Sequence, residues 1–258
     1  MRRESFAVAG PVRLELKVPA GEVEIEAVDA DEAVVELETL RGDEHVAEDA
    51  RVELRGEELR VEVRDRRRSA AEVSLRVSAP SGSALSLATA SADLTARGRL
   101  GDVELKSASA DLQLEHVAGL RAKSASGDVR VEHVAGDARV QIASGDVGLA
   151  RVAGEAEISA ASGDVHVGDA GAALKVQSAS GDQRVDSVAA GRVELRSASG
   201  DVRVGVRRGS RVFIDARSMS GDVESELEVG DEPADDEGPL VELEVTTMSG
   251  DVEVVRAR

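Results

Sequence analysis

Cysteine is absent from the 258 residues, which removes disulfides, thiolate zinc sites and cysteine nucleophiles together. Tryptophan and tyrosine are absent as well, leaving Phe6 and Phe213 as the two aromatic residues. A globular domain of this length bridges thick layers with bulky rings, so a core of Ala, Val, Leu and Ile implies a thin interior between two close sheets. Long apolar runs are missing too. The start, Met1-Arg2-Arg3-Glu4-Ser5-Phe6, lacks the apolar stretch of a secretory signal, and no later segment approaches the length needed to span a bilayer. A cytoplasmic protein with no direct membrane insertion is the expectation, with peripheral association at the cell envelope left open.

Basic residues are outnumbered, 32 against 51 acidic ones, for a net charge of −19. That balance disfavours nonspecific attraction to nucleic acid or anionic lipid, so nucleic acid is not an expected partner. Lys17, Lys106, Lys123 and Lys175 are the only lysines; the arginine bias fits a high-GC genome or adaptation to salt.

What the chain does have is repetition. The tripeptide Ser-Gly-Asp begins at Ser126, Ser144, Ser162, Ser180, Ser199, Ser220 and Ser249, with an Ala-for-Gly form at Ser91 and Ser109. Successive spacings are 18, 17, 18, 18, 18, 19, 21 and 29, so the period stays near eighteen until the C-terminal end. A second glycine turn lies midway, as in Val134-Ala135-Gly136-Asp137 and Val152-Ala153-Gly154-Glu155. Each coil therefore carries two main strands and two corners. Alternation such as Val129 and Val131 inward with Arg130 and Glu132 outward is that of a half-buried strand.

Because like residues recur once per coil, stacking the coils superposes like on like. The fold class expected is all-β: a single-stranded parallel β-solenoid (β-helix) of about 18 residues per coil, with a right-handed crossover favoured. Glycine at the corner supplies positive φ, and the aspartate accepts backbone amides in an Asx-type turn. Counting back from Leu120 places Ser126 on the inner face, as one rung of a hydroxyl ladder. Residues 1–84 read as an irregular, strand-rich N-terminal cap with the first coils, and 85–258 as the regular solenoid. Within the latter, 230–239 is a solvated acidic loop.

The recurring Ser-Ala-Ser-Gly-Asp-Val-x-Val, the opening Leu14-Glu-Leu-Lys-Val-Pro-Ala-Gly-Glu-Val-Glu-Ile25 and the closing Thr247-Met-Ser-Gly-Asp-Val-Glu-Val254 resemble the bacterial putative adhesin (DUF4097-like) family of β-strand-repeat proteins. The resemblance spans essentially the whole chain. It implies a β-solenoid, often linked to cell-envelope or stress functions, and brings no catalytic residues with it.

Few residues stand out as a site. Asp128, Asp146, Asp164, Asp182 and Asp201 would line one edge of a stack, and calcium is the ligand such carboxylates suit. Against that, each corner offers one Gly-Asp pair, fewer ligands than a calcium-binding repeat carries, and about 1 kcal/mol or less of repulsion per neighbouring pair is within reach of turn hydrogen bonds. The structural turn is the favoured reading and a calcium site the alternative. His116 and His133 share the motif Glu-His-Val-Ala-Gly, which repeat copying explains; a shared metal is the sharper possibility. His45 and His166 have no partner that sequence identifies. Arg207 and Arg208 beside Gly209, and the run Arg64-Asp65-Arg66-Arg67-Arg68, read as solvated turns rather than binding patches.

Parallel β-helix enzymes acting on polysaccharides need a localised break in the repeat with convergent carboxylates and aromatic platforms. Here the acids follow the repeat and aromatics are nearly missing. The sequence thus points to a non-enzymatic scaffold or interaction protein with no catalytic residue, no cofactor and no metal. Its partner is a protein or a second copy, met through a sheet face or a solenoid end. A calcium-binding solenoid is the alternative and a polysaccharide-active β-helix enzyme the weaker one.

Overall fold

Leu14, Leu16 and Val18, then Val23, Ile25 and Ala27, are two alternating apolar triplets separated by Pro19-Ala20-Gly21, and all six are buried. A run that alternates, turns a corner and alternates again forms one complete coil. The computed structural model describes residues 1–43, 45–63, 71–227 and 238–257. It is a parallel β-solenoid that divides into two compact units, Met1–Val131 and Glu132–Arg258.

The first unit runs β1 (Arg2–Ala7), β2 (Arg13–Val28), β3 (Glu32–Arg41), α1 (Val46–Asp49), β4 (Arg51–Arg55), β5 (Glu58–Glu62), β6 (Glu72–Pro80), β7 (Ala84–Ser109), β8 (Leu112–Ser126) and the start of β9 (Val129–Val134). The coil formed by β2 does not lie at the end of the stack. Its one side pairs in parallel with β7, Leu14 opposite Leu85 and Val23 opposite Leu94. Its other side pairs in parallel with β5 and then β6, Leu14 opposite Leu59 and Val23 opposite Leu75. The excursion between β2 and β7 thus wraps back over the first coil. Antiparallel pairs finish this end: β3 with β6, β1 with β3, and the hairpin β4–β5. β3 covers the edge of β6 and β4 that of β5. Ion pairs bridge the layers, including Arg60 to Glu15 across β5 and β2 and Arg76 to Glu24 across β6 and β2.

The second unit carries β10 (Ala138–Ser144), β11 (Val147–Val152), β12 (Ala156–Ser162), β13 (Val165–Ala170), β14 (Leu174–Ser180), β15 (Gln183–Val188), β16 (Gly191–Ser199), β17 (Val202–Val206), β18 (Arg211–Ser218), β19 (Val223–Ser225), β20 (Leu240–Ser249) and β21 (Val252–Arg256). Even-numbered strands pair in parallel to form one face, β10–β12–β14–β16, and odd-numbered strands the other, β11–β13–β15–β17. Register follows the repeat: Val140 stacks on Ile158, Ile158 on Val176 and Val176 on Leu195. Burying each such side chain contributes roughly 1.5–3 kcal/mol, and the row repeats at every rung.

Sequential stacking fails at the C-terminal end. β20 pairs with β16 on one side and β18 on the other, while β21 lies between β17 and β19. Among the described residues the last coil in sequence is therefore the penultimate rung, and β18–β19 is the outermost. The departure falls where the spacing of the Ser-Gly-Asp corners lengthens to 21 and 29 residues. The connection between β19 and β20 contains the segment that reads as an acidic loop, of which 230–237 lies outside the described residues. The basic run Arg64–Arg68 lies outside them as well.

A second correction concerns the serines. Ser144, Ser162, Ser180, Ser199 and Ser249 are exposed and Ser126 is half-exposed, so the Ser-Gly-Asp hydroxyls do not form an inner ladder. Alternation slips at the corner: Ile142 is buried, Ala143 and Ser144 both face out, and burial resumes at Val147. The inward hydroxyls are those two residues earlier. Ser124, Ser197 and Thr247 each donate to the carbonyl of the corner serine, Ser126, Ser199 and Ser249 respectively.

Candidate interaction edge

The corner aspartates are the most site-like side chains in the chain. In the second unit the amide of Asp164 donates to Oδ1 of Asp146 at 2.9 Å, and that of Asp182 to Oδ1 of Asp164 at the same distance. The series continues through Asp201 onto Asp182, Asp251 onto Asp201 and Asp222 onto Asp251, each at 2.9 Å. In the first unit Asp111 donates to Asp93 and Asp128 to Asp111. The opposite corner repeats the device once, from the amide of Glu155 to Asp137 Oδ1.

Of the calcium candidates, Asp146, Asp164, Asp182 and Asp201 are thus stacked rung on rung, and Asp128 takes part in the first unit's own ladder. One oxygen of each acceptor carboxylate holds the amide of the next rung. Backbone bonds run the other way, from Val147 N to Asp164 O and from Val165 N to Asp182 O. The corner is cross-braced in both directions. Among the described residues no group of three or more His, Asp or Glu side chains is arranged to hold a metal ion.

This brace demands glycine beside it. Gly163 has φ +115°, and a Cβ there would overlap the Gly145 carbonyl, nearer than real Cβ atoms approach. Neighbouring corners touch backbone to backbone, which only hydrogen in place of a side chain permits.

His45 sits before α1 with Nδ1 3.0 Å from Glu48, and that hydrogen bond, together with the charges of Glu48, Asp43 and Asp49, raises its pKa above the ordinary value. His166 lies 2.7 Å from Asp186, which also accepts from Arg184. Burial opposes the ionisation of Asp186, but these two hydrogen bonds prevail and hold its carboxyl below the usual range. His116 stands opposite Arg99 in the β7–β8 pair, and His133 lies in β9 of the other unit. Arg207 bonds Asp169 at 2.6 Å, tying it into a structural ion pair, with Arg151 3.9 Å from the same carboxylate.

Gln183 is a polar residue in the apolar interior. It occupies an inward position where Val165 and Val202 flank it, and only 1% of it is exposed. Its Nε2 donates to Ser178 Oγ and the Arg196 carbonyl, while Oε1 has no hydrogen-bond partner. The signal was available: every other Ser-Gly-Asp from Ser126 onward is followed by valine.

Several outward charged side chains of the second unit form rung-to-rung pairs, such as Arg139–Glu157 and Arg192–Glu244. The outermost rung differs. Phe213 is 67% exposed and Met219 81%; Met248 and Leu240 on the adjacent rung are exposed too, but Val223 is 47% exposed where its neighbour Val252 is 1% exposed. Inward residues Val212, Ile214 and Ala216 of β18 are half-buried, being covered from one side. Among the described residues β18 has β20 as its one strand partner and β19 has β21. Arg211 N donates to Pro239 O and Met219 N to Thr247 O, so odd-numbered amides of β18 point at β20. The amides and carbonyls of Val212, Ile214 and Ala216 consequently point the other way, off the edge.

Comparison with known proteins agrees with this architecture. A solved structure described as a putative adhesin from Bacteroides fragilis is similar at TM-score 0.53 and 12% identity, covering 98% of this chain and 96% of the other. Putative adhesins from Parabacteroides distasonis and Parabacteroides merdae have TM-scores of 0.42 and 0.43 at 14% and 12% identity, with 98% and 99% of this chain and 96% of each of theirs covered. No curated protein matches. No helix among the described residues is long and apolar enough to cross a membrane. The profile of the Toastrack DUF4097 family matches residues 12–255, nearly the whole length, and the chain belongs to that family.

Proposed function

We propose that this protein is a non-enzymatic interaction scaffold whose binding element is the outermost rung, β18–β19, extended by a strand from another polypeptide. The observation that carries the reading is the contrast between rungs. Within the second unit several carboxylates and arginines brace rung to rung, while β18, beside Phe213 and Met219, has a strand partner on one side only among the described residues. Strand addition to an exposed edge satisfies those groups, and the apolar side chains add area. The distributed acids support this reading over polysaccharide chemistry, which requires converging carboxylates. Their use as amide acceptors supports it over calcium binding.

Hydrogen exchange on the full chain tests the proposal, using extracts of a bacterium that encodes it. The amides of Val212, Ile214 and Ala216 gain protection from the intact polypeptide fraction and none from the same fraction after protease digestion. Protection that survives protease, or that falls on the outward face of β10–β15 instead, overturns it. Thermal unfolding with millimolar calcium against chelator leaves the melting temperature unchanged; a rise of several degrees replaces the scaffold with a ligand-binding solenoid.

A further inference from the structure

The outward residues of β18 read Arg211, Phe213, Asp215, and the inward ones between them Val212 and Ile214. This five-residue stretch is self-complementary when reversed. Laid antiparallel against itself about Phe213, it sets Arg211 opposite Asp215, Val212 opposite Ile214 and Phe213 opposite Phe213. We infer that the occupant of this edge is β18 of a second copy of the chain, paired antiparallel in that register; the inference rests on the strand-addition reading and names the partner.

Three independent features agree. The first is backbone polarity. An antiparallel ladder alternates hydrogen-bonded with non-hydrogen-bonded pairs, and a residue can exchange bonds only where its amide and carbonyl face the partner. Val212 and Ile214 face off the edge, as the bonds from Arg211 and Met219 toward β20 establish, so Val212 of one copy exchanges bonds with Ile214 of the other. A register displaced by one residue would set bonding groups against non-bonding ones.

The second is side-chain placement. Phe213 falls at the non-hydrogen-bonded centre, where opposed Cα atoms come within about 4.5 Å and side chains meet most closely. Its ring, 67% exposed, is there covered by its own counterpart, and aromatic and β-branched cross-strand pairs are among the stabilising ones.

The third is charge. A chain of net charge −19 repels its own copies, so self-association needs local complementarity. The two-fold axis supplies it twice, as Arg211 to Asp215 and Asp215 to Arg211. Asp215 already pairs with Arg217 at 2.8 Å, and the Nε of Arg211 donates to the Gly238 carbonyl, so both side chains are held near the strand. A guanidinium has five N–H donors and a carboxylate about four acceptor sites, so these bonds are compatible with a cross-strand partner. Such a contact is isologous and closes at two copies.

An edge of this length suits a weak dimer, so sedimentation of the full chain is followed from about 1 to 500 µM at low ionic strength. The wild-type chain dimerises. Arg211→Asp places acid opposite acid twice and Asp215→Arg places base opposite base twice; each variant weakens the dimer about tenfold or more. Mixing the two variants in equal amounts restores dimerisation, because Asp at 211 and 215 of one copy meets Arg at 215 and 211 of the other. A defect in folding would not be repaired by mixing. A wild-type chain that stays monomeric, single variants that dimerise like wild type, or a mixture no tighter than its components each overturn the inference. A monomer whose edge amides still gain protection from intact foreign polypeptides removes self-pairing and leaves the interaction reading standing; a monomer without that protection removes both.

Discussion

Asp164 and Asp182 are joined by a hydrogen bond of 2.9 Å, from the backbone amide of the second to Oδ1 of the first, although both are acidic and occupy adjacent rungs. Stacking like charges is tolerable because each carboxylate also solves a backbone problem, the unpaired amide at a corner where the chain leaves its strand. An amide-to-carboxylate bond is worth about 1.5–3 kcal/mol net, more than the repulsion between neighbours at such spacing in water.

It follows that Asp164→Ala lowers unfolding stability by about 1.5–3 kcal/mol. Asp164→Asn, which keeps the oxygen acceptor and removes one charge from the ladder, stays within about 0.5 kcal/mol of wild type. Chemical denaturation of both variants measures the difference, and equal losses would mean that charge rather than the acceptor matters.

Gly163→Ala is expected to cost about 3 kcal/mol or more, since positive φ and overlap with the Gly145 backbone act together. Gly10→Ala provides the control, with nothing within 4 Å of the added methyl group and ordinary φ. Thermal melts compare the two. A tolerated alanine at 163 would show that rungs are spaced more loosely at this corner than the cross-bracing requires.

Gln183 gives a prediction of opposite flavour. Gln183→Val restores the apolar row between Val165 and Val202 and removes the orphaned Oε1, so stability changes by no more than about 1 kcal/mol despite the loss of two hydrogen bonds. Gln183→Glu, which buries a charge without a cationic partner, costs about 3 kcal/mol. Denaturant titration separates them, and a large loss for valine would mark the amide as functional.

His45 titrates above the ordinary value of about 6.5 because its protonated ring is favoured first by the Glu48 hydrogen bond. A raised folded-state pKa means that this pair supports the fold fully below the unfolded value and ceases to do so as pH rises through the folded one. Proton NMR of the imidazole follows it. Glu48→Gln brings the midpoint back toward 6.5, and an unchanged midpoint would contradict the pairing.

Much of this fold is legible in the residues, and the reasons for the rest are physical. Val140, Ile158 and Val176 recur at eighteen-residue steps, and period-two burial leaves one way to stack them. The same uniformity conceals rung order. Val252 fits against Val202 or Val223 equally well, so local alternation is silent about which coil neighbours which, and the insertion of β20–β21 emerges only from the ladder. The serines misled for a related reason: parity counting assumes an unbroken strand, and the corner at Ala143 and Ser144 presents two outward residues in succession. At the candidate edge, alternation places Phe213 outward, but that β18 lies at the end of the ladder depends on rung order and is not legible locally.

Rung order is also the claim most open to direct measurement, since a chain without native cysteine allows clean crosslinking. Ser199 stands opposite Ser249 in the β16–β20 pair, and Ser220 lies one rung further out, its carbonyl accepting from Gly250 N. Disulfides form when Cα atoms are about 4.4–6.8 Å apart, a window that admits adjacent rungs and excludes alternate ones. Under mild oxidation Ser199→Cys with Ser249→Cys forms an intramolecular disulfide, and Ser199→Cys with Ser220→Cys does not. A ready bridge between positions 199 and 220, with none between 199 and 249, would contradict the account.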